Sequence, residues 1–481
     1  MRTPIAALVA ALSLIAVPVA SADQTWPDAV SSDNVDYLGS IKEDVGLTTG
    51  ARIVGNKMFV TSAKNISIYD ISTPESPVRV GFIPNVSWEN EEVPTNGKIL
   101  AVASDFYSAM PNCLPNDVLS PGEAPNGCIQ YFDVRDPSNI REIGATQTKN
   151  HTAECVLDCT WFYGKAGTIV DARHALDDPA SPTYYPPTEV GSWTTYLREH
   201  EGVDSKSCHH IREIRPGVLL TACRPFSVIT VNPKDAPGAS PTTPQVLYTG
   251  EAAKFVHSAR WPRAGKDKFL LTGGEENFNP QCESIPDDDN RIVGNNSEFS
   301  VYQSNLNDDR SETAYDFDLK SQIEAAGNGT YTDGKPIANH LGCSVHWFQE
   351  HPTFKNGGLV ALSEYEDGVR FLQVGKDGSI TEQGFFAALG SSSSSPKWAP
   401  SGDIVYSVDY DRGIDILRWK GEHYVPGAKP EKNKVKGTNG TTVTPALNDR
   451  QYENLTKLGT DIRAAGWQPG LCQLAAGYGA G

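Results

Sequence analysis

The chain has 481 residues and carries 59 acidic against 41 basic side chains, a formal net charge of −18. That balance argues against nucleic-acid backbones and anionic membrane surfaces as partners, because both reward clustered Lys and Arg. Only three methionines, with 43 glycines, 33 prolines and many short Val/Ile/Tyr-rich runs, describe an all-β chain with frequent turns.

From the N-terminus, Arg2, the apolar run Ile5 to Val19 and the small residues Ala20-Ser21-Ala22 form an export signal over residues 1–22. The mature chain is expected to begin near Asp23 and to be secreted or otherwise extracytoplasmic. No membrane span is expected, since the apolar run is too short for a spanning helix and no later run approaches about 18 apolar residues. Next comes Tyr37-Leu-Gly39-Ser-Ile, a lone strand that precedes the first repeated unit and has no unit of its own.

The units that follow share one pattern: an apolar strand, a turn, and a second apolar strand. First strands start at Met58, Ile99, Thr160, Val218, Phe269, Gly358 and Ile404. Their partners start at Ile66, Cys128, Thr168, Ser227, Phe299, Val369 and Ile414. Such a unit can bury its two faces only against its neighbours, so about seven of them are expected to close into a β-propeller of four-stranded blades. The lone N-terminal strand would complete the last blade and remove two exposed edges. Insertions at Pro111 to Gly127, His174 to Ser207 and Asn277 to Glu298 are expected to cover a rim, where a small-molecule, glycan or protein ligand would bind. The propeller is expected over 23–426, and a polar, Gly-rich extension over 427–481.

Two units agree closely. Ile66-Ser-Ile-Tyr-Asp70-Ile-Ser-Thr-Pro74 and Ile129-Gln-Tyr-Phe-Asp133-Val-Arg-Asp-Pro137 place Asp and Pro in the same register. These runs resemble LVIVD repeats of exported bacterial proteins. The resemblance implies a propeller outside the cytoplasm and implies no particular chemistry.

Nine cysteines in an exported chain point to disulfides. Cys208 and Cys223 lie symmetrically about the Pro216-Gly217 turn, so a hairpin sets them face to face. Cys113 with Cys128 would close a loop and Cys155 with Cys159 a tight one. The pairing of Cys282, Cys343 and Cys472 stays open.

The candidate chemistry is a ring of histidines. His210, His257 and His346 each open an innermost strand, and His151, in Asn150-His-Thr-Ala-Glu, opens that of the third blade. Equivalent positions on successive blades converge on the ring axis, and convergent imidazoles hold a divalent transition metal such as zinc, copper or iron. The matching place in the last blade falls near Ser394, and the first two blades offer no histidine, which would leave one side open. Strand alternation and the Pro216 register favour His210 over its neighbour His209. Glu275, Glu276, Glu364 and Asp409 end second strands at the same rim, where they would orient the imidazoles. His174, His200, His351 and His423 fall in loops or off the register and are read as solvated. The residues leave two readings open: a metal-binding protein or metal-dependent enzyme, or a non-catalytic binding propeller whose histidines only brace its blades.

Overall fold

All seven paired signals form antiparallel ladders. In the computed structural model, each of the first strands named above pairs with its expected partner, from Met58↔Tyr69 to Ile404↔Arg418. The structure describes residues 29–43, 48–62, 65–84, 90–104, 128–147, 150–250, 256–275, 285–286, 292–293, 298–304, 317–324, 344–365, 368–388, 391–410 and 412–421. The expected signal segment, the C-terminal extension, Glu276, Cys113, Cys282, Cys343, Cys472 and His423 lie outside these residues.

The sheets make a seven-bladed β-propeller. Blades 1 to 7 occupy 48–84, 90–146, 153–192, 206–250, 258–324, 345–388 and 393–419, the last completed by Val35–Ile41. In blade 2 the regular strands number three, and the inner place is taken by residues 90–95, tied to the next strand by the Thr95–Leu100 bridge and the Ala101 N–H to Pro94 carbonyl bond. No helix of the described residues is long and apolar enough to cross a membrane.

Burial follows position in the blade. Middle strands such as Cys128–Asp133 are buried along their whole length, whereas the outer strand Val78–Pro84 is mostly exposed. Apolar clusters fill the gaps between adjacent blades; Leu359, Phe371, Trp398 and Trp419, for example, join blades 6 and 7. Each blade is therefore held by its neighbours rather than by a core of its own.

The ring closes as the lone strand implied. Val35–Ile41 runs antiparallel to Gly413–Trp419, from Val35↔Trp419 to Ile41↔Ile414. Ala29–Ser31 adds a fifth strand to blade 6 through the pair Ala29↔Ala388, which three residues of sequence did not signal.

Cys208 is bonded to Cys223 and Cys155 to Cys159, and Cys128 is disulfide-bonded too. The first of these closes a separation of 15 residues. Replacing both cysteines by alanine is expected to destabilise the protein by about 2–3 kcal/mol, the entropy that such a cross-link removes from the unfolded chain. Equilibrium urea unfolding of the double variant measures this, and an unchanged midpoint would show that the unfolded chain gains nothing from the bond.

Candidate metal centre

The inner strands start at one end of the axis, and their ladders slip there. Blade 1 passes from Thr48↔Ser62 to Gly50↔Thr61, blade 6 from Val345↔Glu364 to Phe348↔Leu362 and blade 7 from Ser393↔Asp409 to Ser395↔Val408. The extra residues are Thr49, His346 with Trp347, and Ser394. A bulge of this kind re-aims a side chain. Blade 4 slips as well, between Lys206 and His210.

That slip decides between the two adjacent histidines. His209 Nε2 lies 3.7 Å from Glu91 Oε2, inside the cluster on the axis. His210 instead meets the Trp347 ring edge-on at 4.7 Å, and neither of its ring nitrogens has a hydrogen-bond partner. The alternation argument that favoured His210 assumed an unbroken ladder.

Glu91 is the residue at the middle. It comes from blade 2, where no histidine stands, and it takes the inner-strand place that histidines take in blades 3 to 6. Its Oε2 lies 3.6 Å from His151 Nε2 and 3.5 Å from His257 Nε2, and its Oε1 lies 3.1 Å from His346 Nε2. Trp347 Nε1 donates to Oε2 at 2.9 Å and the Tyr410 hydroxyl to Oε1 at 2.7 Å. Glu91 and these four histidines are all completely buried. The ring centroids of His209 and His257 lie 3.6 Å apart, and those of His257 and His346 4.4 Å apart.

Neighbouring groups fix these side chains. Asn150 donates to Thr168 Oγ1 and accepts from the Ala166 N–H, which anchors the residue before His151. Thr152 Oγ1 donates to the His209 carbonyl, tying blade 3 to blade 4. His346 Nδ1 sits 2.9 Å from the Ser394 carbonyl, so it is the donor and Nε2 is directed at Glu91. Gly50 is needed for close approach: a Cβ there would stand 2.2 Å from the Glu91 carbonyl oxygen.

The other candidates divide. Glu275 Oε2 lies 3.6 Å from His257 Nε2, and Glu275 accepts from the Tyr365 hydroxyl. Glu364 pairs with Arg370 within its own blade, and Asp409 accepts from Ser391 Oγ and from the Ser392 and Arg412 N–H groups. His351, expected in solvent, is buried and its Nε2 donates to the Gly402 carbonyl at 2.7 Å. Its ring also meets Trp398 of blade 7 edge-on at 4.7 Å. His174 is half-exposed beside Asp177.

The protonation states suit ligation. Burial alone would raise the Glu91 carboxyl, but His346, His151 and His257 outweigh it and hold the group well below the usual carboxylate range. Burial, reinforced by His257 and His151, pushes His209 far down, and burial with His346 lowers His257. His346 moves the other way: burial opposes its charge, but Glu91 raises it above an ordinary imidazole. The cluster therefore offers an ionised carboxylate with neutral His209 and His257, the forms that bind metal, whereas Glu91 favours the protonated form of His346.

Ligand atoms of Glu91, His257 and His346 all lie within 4.8 Å of one another, as do those of Glu91, His151 and His209, and of His209, His257 and Glu275. The groups overlap at Glu91, His209 and His257, and each brings three side chains together.

No protein-family model and no curated protein matches the chain. Among solved structures it is similar to the β-propeller domain of Cps50 (Swd1) from Myceliophteria thermophila, with 13% identity, a TM-score of 0.50 and coverage of 80% of this chain and 99% of that one. A chain of a mitotic checkpoint complex aligns at 13% identity with a TM-score of 0.45, covering 81% of this chain and 95% of that one. At this identity the first likeness shows the propeller fold alone.

Proposed function

We propose that this chain is an exported metalloprotein, a β-propeller that holds one divalent transition ion on its axis through Glu91 and histidines drawn from His151, His209, His257 and His346. The observation that carries the proposal is the spacing around Glu91. Imidazole nitrogens 3.5–3.7 Å from one carboxylate oxygen are too far away for good hydrogen bonds. They match the edges of a coordination polyhedron, since ligands bonded to zinc at about 2.0–2.1 Å stand roughly 3.3–3.4 Å apart in a tetrahedron. His346 Nε2 comes nearer, 3.1 Å from the other oxygen, and the convergence of buried imidazoles on one ionised carboxylate is the arrangement a shared cation would need.

Imidazoles and a carboxylate suit zinc, copper, iron or nickel, with the Ser394 carbonyl orienting His346 and Glu275 bringing a further carboxylate to His257 Nε2. A bound ion would polarise a substrate oxygen or activate water or dioxygen. The export signal, the LVIVD-like runs at 66–74 and 129–137 and the disulfides support an extracytoplasmic setting, with metal acquired after export.

The test is metal content. Protein purified from the exported fraction is expected to carry about one ion per chain by elemental analysis, and His257→Ala and His346→Ala are each expected to lose most of it. Wild-type protein that is metal-free after incubation with zinc, copper and iron would falsify the proposal. If those variants then showed only a lowered melting temperature, the histidines would brace blades in a binding propeller.

A further inference from the structure

A second layer of charged side chains lies on the axis beside the histidines, three residues further along the inner strands. The pairs are Thr49 and Arg52, His151 and Glu154, His209 and Arg212, His257 and Arg260, and Ser394 and Lys397. Blade 2 contributes Glu92, next to Glu91. Arg52 is neutralised by Glu154 through two bonds of 3.0 and 3.1 Å. Arg212, Arg260 and Lys397 then remain, three cations for the two carboxylates Glu92 and Glu350.

Lys397 Nζ donates to Glu92 Oε1 at 3.3 Å, but the two arginines are poorly satisfied. Arg260 Nη2 stops 3.9 Å from Glu92 Oε1 and Nη1 3.6 Å from Glu350 Oε2, while Arg212 Nη1 stops 3.8 Å from Glu92 Oε2. Charge-assisted bonds run about 2.7–2.9 Å, so roughly an ångström of space separates each guanidinium from its carboxylate. Arg260 Nε, Glu92 Oε2, Glu350 Oε2 and both ring nitrogens of His210 have no hydrogen-bond partner although all are buried atoms. A buried polar group without a partner costs about 1–3 kcal/mol, more when charged, so a cluster of them implies a missing ligand.

We propose that this layer is a binding site for a small oxyanion, the carboxylate or phosphate group of a ligand, held by Arg212, Arg260 and Lys397. Three observations agree with that assignment. Burial, followed by repulsion from Arg260 and Arg52, lowers Arg212 to about 10, and Lys397 falls to about 8 through burial and the neighbouring arginines even though Glu92 opposes the shift. A bound anion would relieve this strain on the positive charges. Exposure also rises toward this end, from none at the histidines to 16% at Arg52 and 23% at Arg212, so a ligand enters from the arginine side. Finally, Glu91 and Glu92 are consecutive and the pairs on the other inner strands are three residues apart, which keeps the two layers within roughly 10 Å of each other along the axis. On the reading of the histidine layer as a metal centre, the oxyanion would anchor an anionic substrate with its reacting group against the ion.

The experiment is calorimetric titration of the full-length mature protein with inorganic phosphate and, separately, with acetate, in wild type and in Arg260→Gln, Lys397→Met and Glu92→Gln. Wild type is expected to bind one of the two anions saturably, one per chain, and the anion that binds identifies the ligand as a phosphate or a carboxylate. Arg260→Gln and Lys397→Met should weaken binding at least tenfold with metal content unchanged. Glu92→Gln removes the competing carboxylate and should tighten binding severalfold, a gain that loss of structure cannot imitate. The same titration of metal-free His257→Ala protein separates the two ideas, because binding retained there belongs to the arginine layer and not to an ion. Absence of saturable binding of either anion to wild type, or affinities unchanged in all three variants, overturns the proposal.

Discussion

Glu91→Ala is expected to destabilise the protein by about 3–5 kcal/mol, the largest effect of any single substitution on the axis, and to abolish the metal binding proposed above. The reason is the number of groups that one carboxylate serves. It accepts from Trp347 Nε1 and from the Tyr410 hydroxyl, and it faces four imidazoles from four blades, all without contact with water. Alanine takes the acceptor from two buried donors, each loss costing about 1–3 kcal/mol, and leaves a polar hole among the rings. Glu91→Gln separates the two effects. It keeps the volume and an acceptor oxygen but carries no charge to hold an ion, so metal affinity should fall at least tenfold with a smaller loss of stability. Denaturant midpoints and elemental analysis of both variants give the answer. Glu91→Ala protein with wild-type stability and full metal content would show that Glu91 is incidental to the site.

The ring was legible because each blade repeats a two-strand signal whose apolar residues have nowhere to go but a neighbouring blade. Met58 to Ser72 and Ile404 to Trp419, for instance, differ in sequence yet present the same alternation of strand and turn, and both pair as expected. Glu91 was not legible. Asn90-Glu-Glu-Val-Pro94 has neither a β-rich run nor a histidine, so it looks like a loop, and only the ladder to Ile99–Ser104 shows that it takes the inner place of blade 2. The choice between His209 and His210 failed for another reason. Period-two counting holds only in an unbroken strand, and this ladder slips twice, between Glu213 and Arg215 and between Lys206 and His210. A signal for the charged layer was present throughout: Gly-Ala-Arg52, Thr-Ala-Glu154, Ser-Ala-Arg260 and Ser-Pro-Lys397 repeat a small or cyclic residue followed by a charge, at one offset from the axial position. Charges of both signs at a repeated inward position mark a polar axis.

Closure of the ring should matter even more to the whole fold than Glu91 does to the axis. Deleting residues 29–42 is expected to lower the melting temperature by at least about 5 °C and to produce association or aggregation of the protein. The strand Val35–Ile41 joins the two ends of the chain of blades. Val35 and Tyr37 pack with Trp398, Leu417 and Trp419 between blades 6 and 7, the Tyr37 ring stacking 5.5 Å from Phe386, while Leu38 and Ile41 pack with Ile416 and Ala51 between blades 7 and 1. Without it, Gly413–Trp419 becomes an unpaired edge and two inter-blade cores open to water. An open array also loses the cooperativity that closure imposes, so the unfolding transition should broaden as well as shift. Gly39 supplies a graded test in the same strand. It sits where the ladder slips between Tyr37 and Gly39 and takes a φ of +150°, which L side chains rarely adopt. Gly39→Val is therefore expected to cost about 1–3 kcal/mol while leaving the ring closed and the protein monomeric. Calorimetry with light scattering ranks the two variants. A deletion variant that stayed monomeric and melted like wild type would mean that the blades hold together without their N-terminal strand.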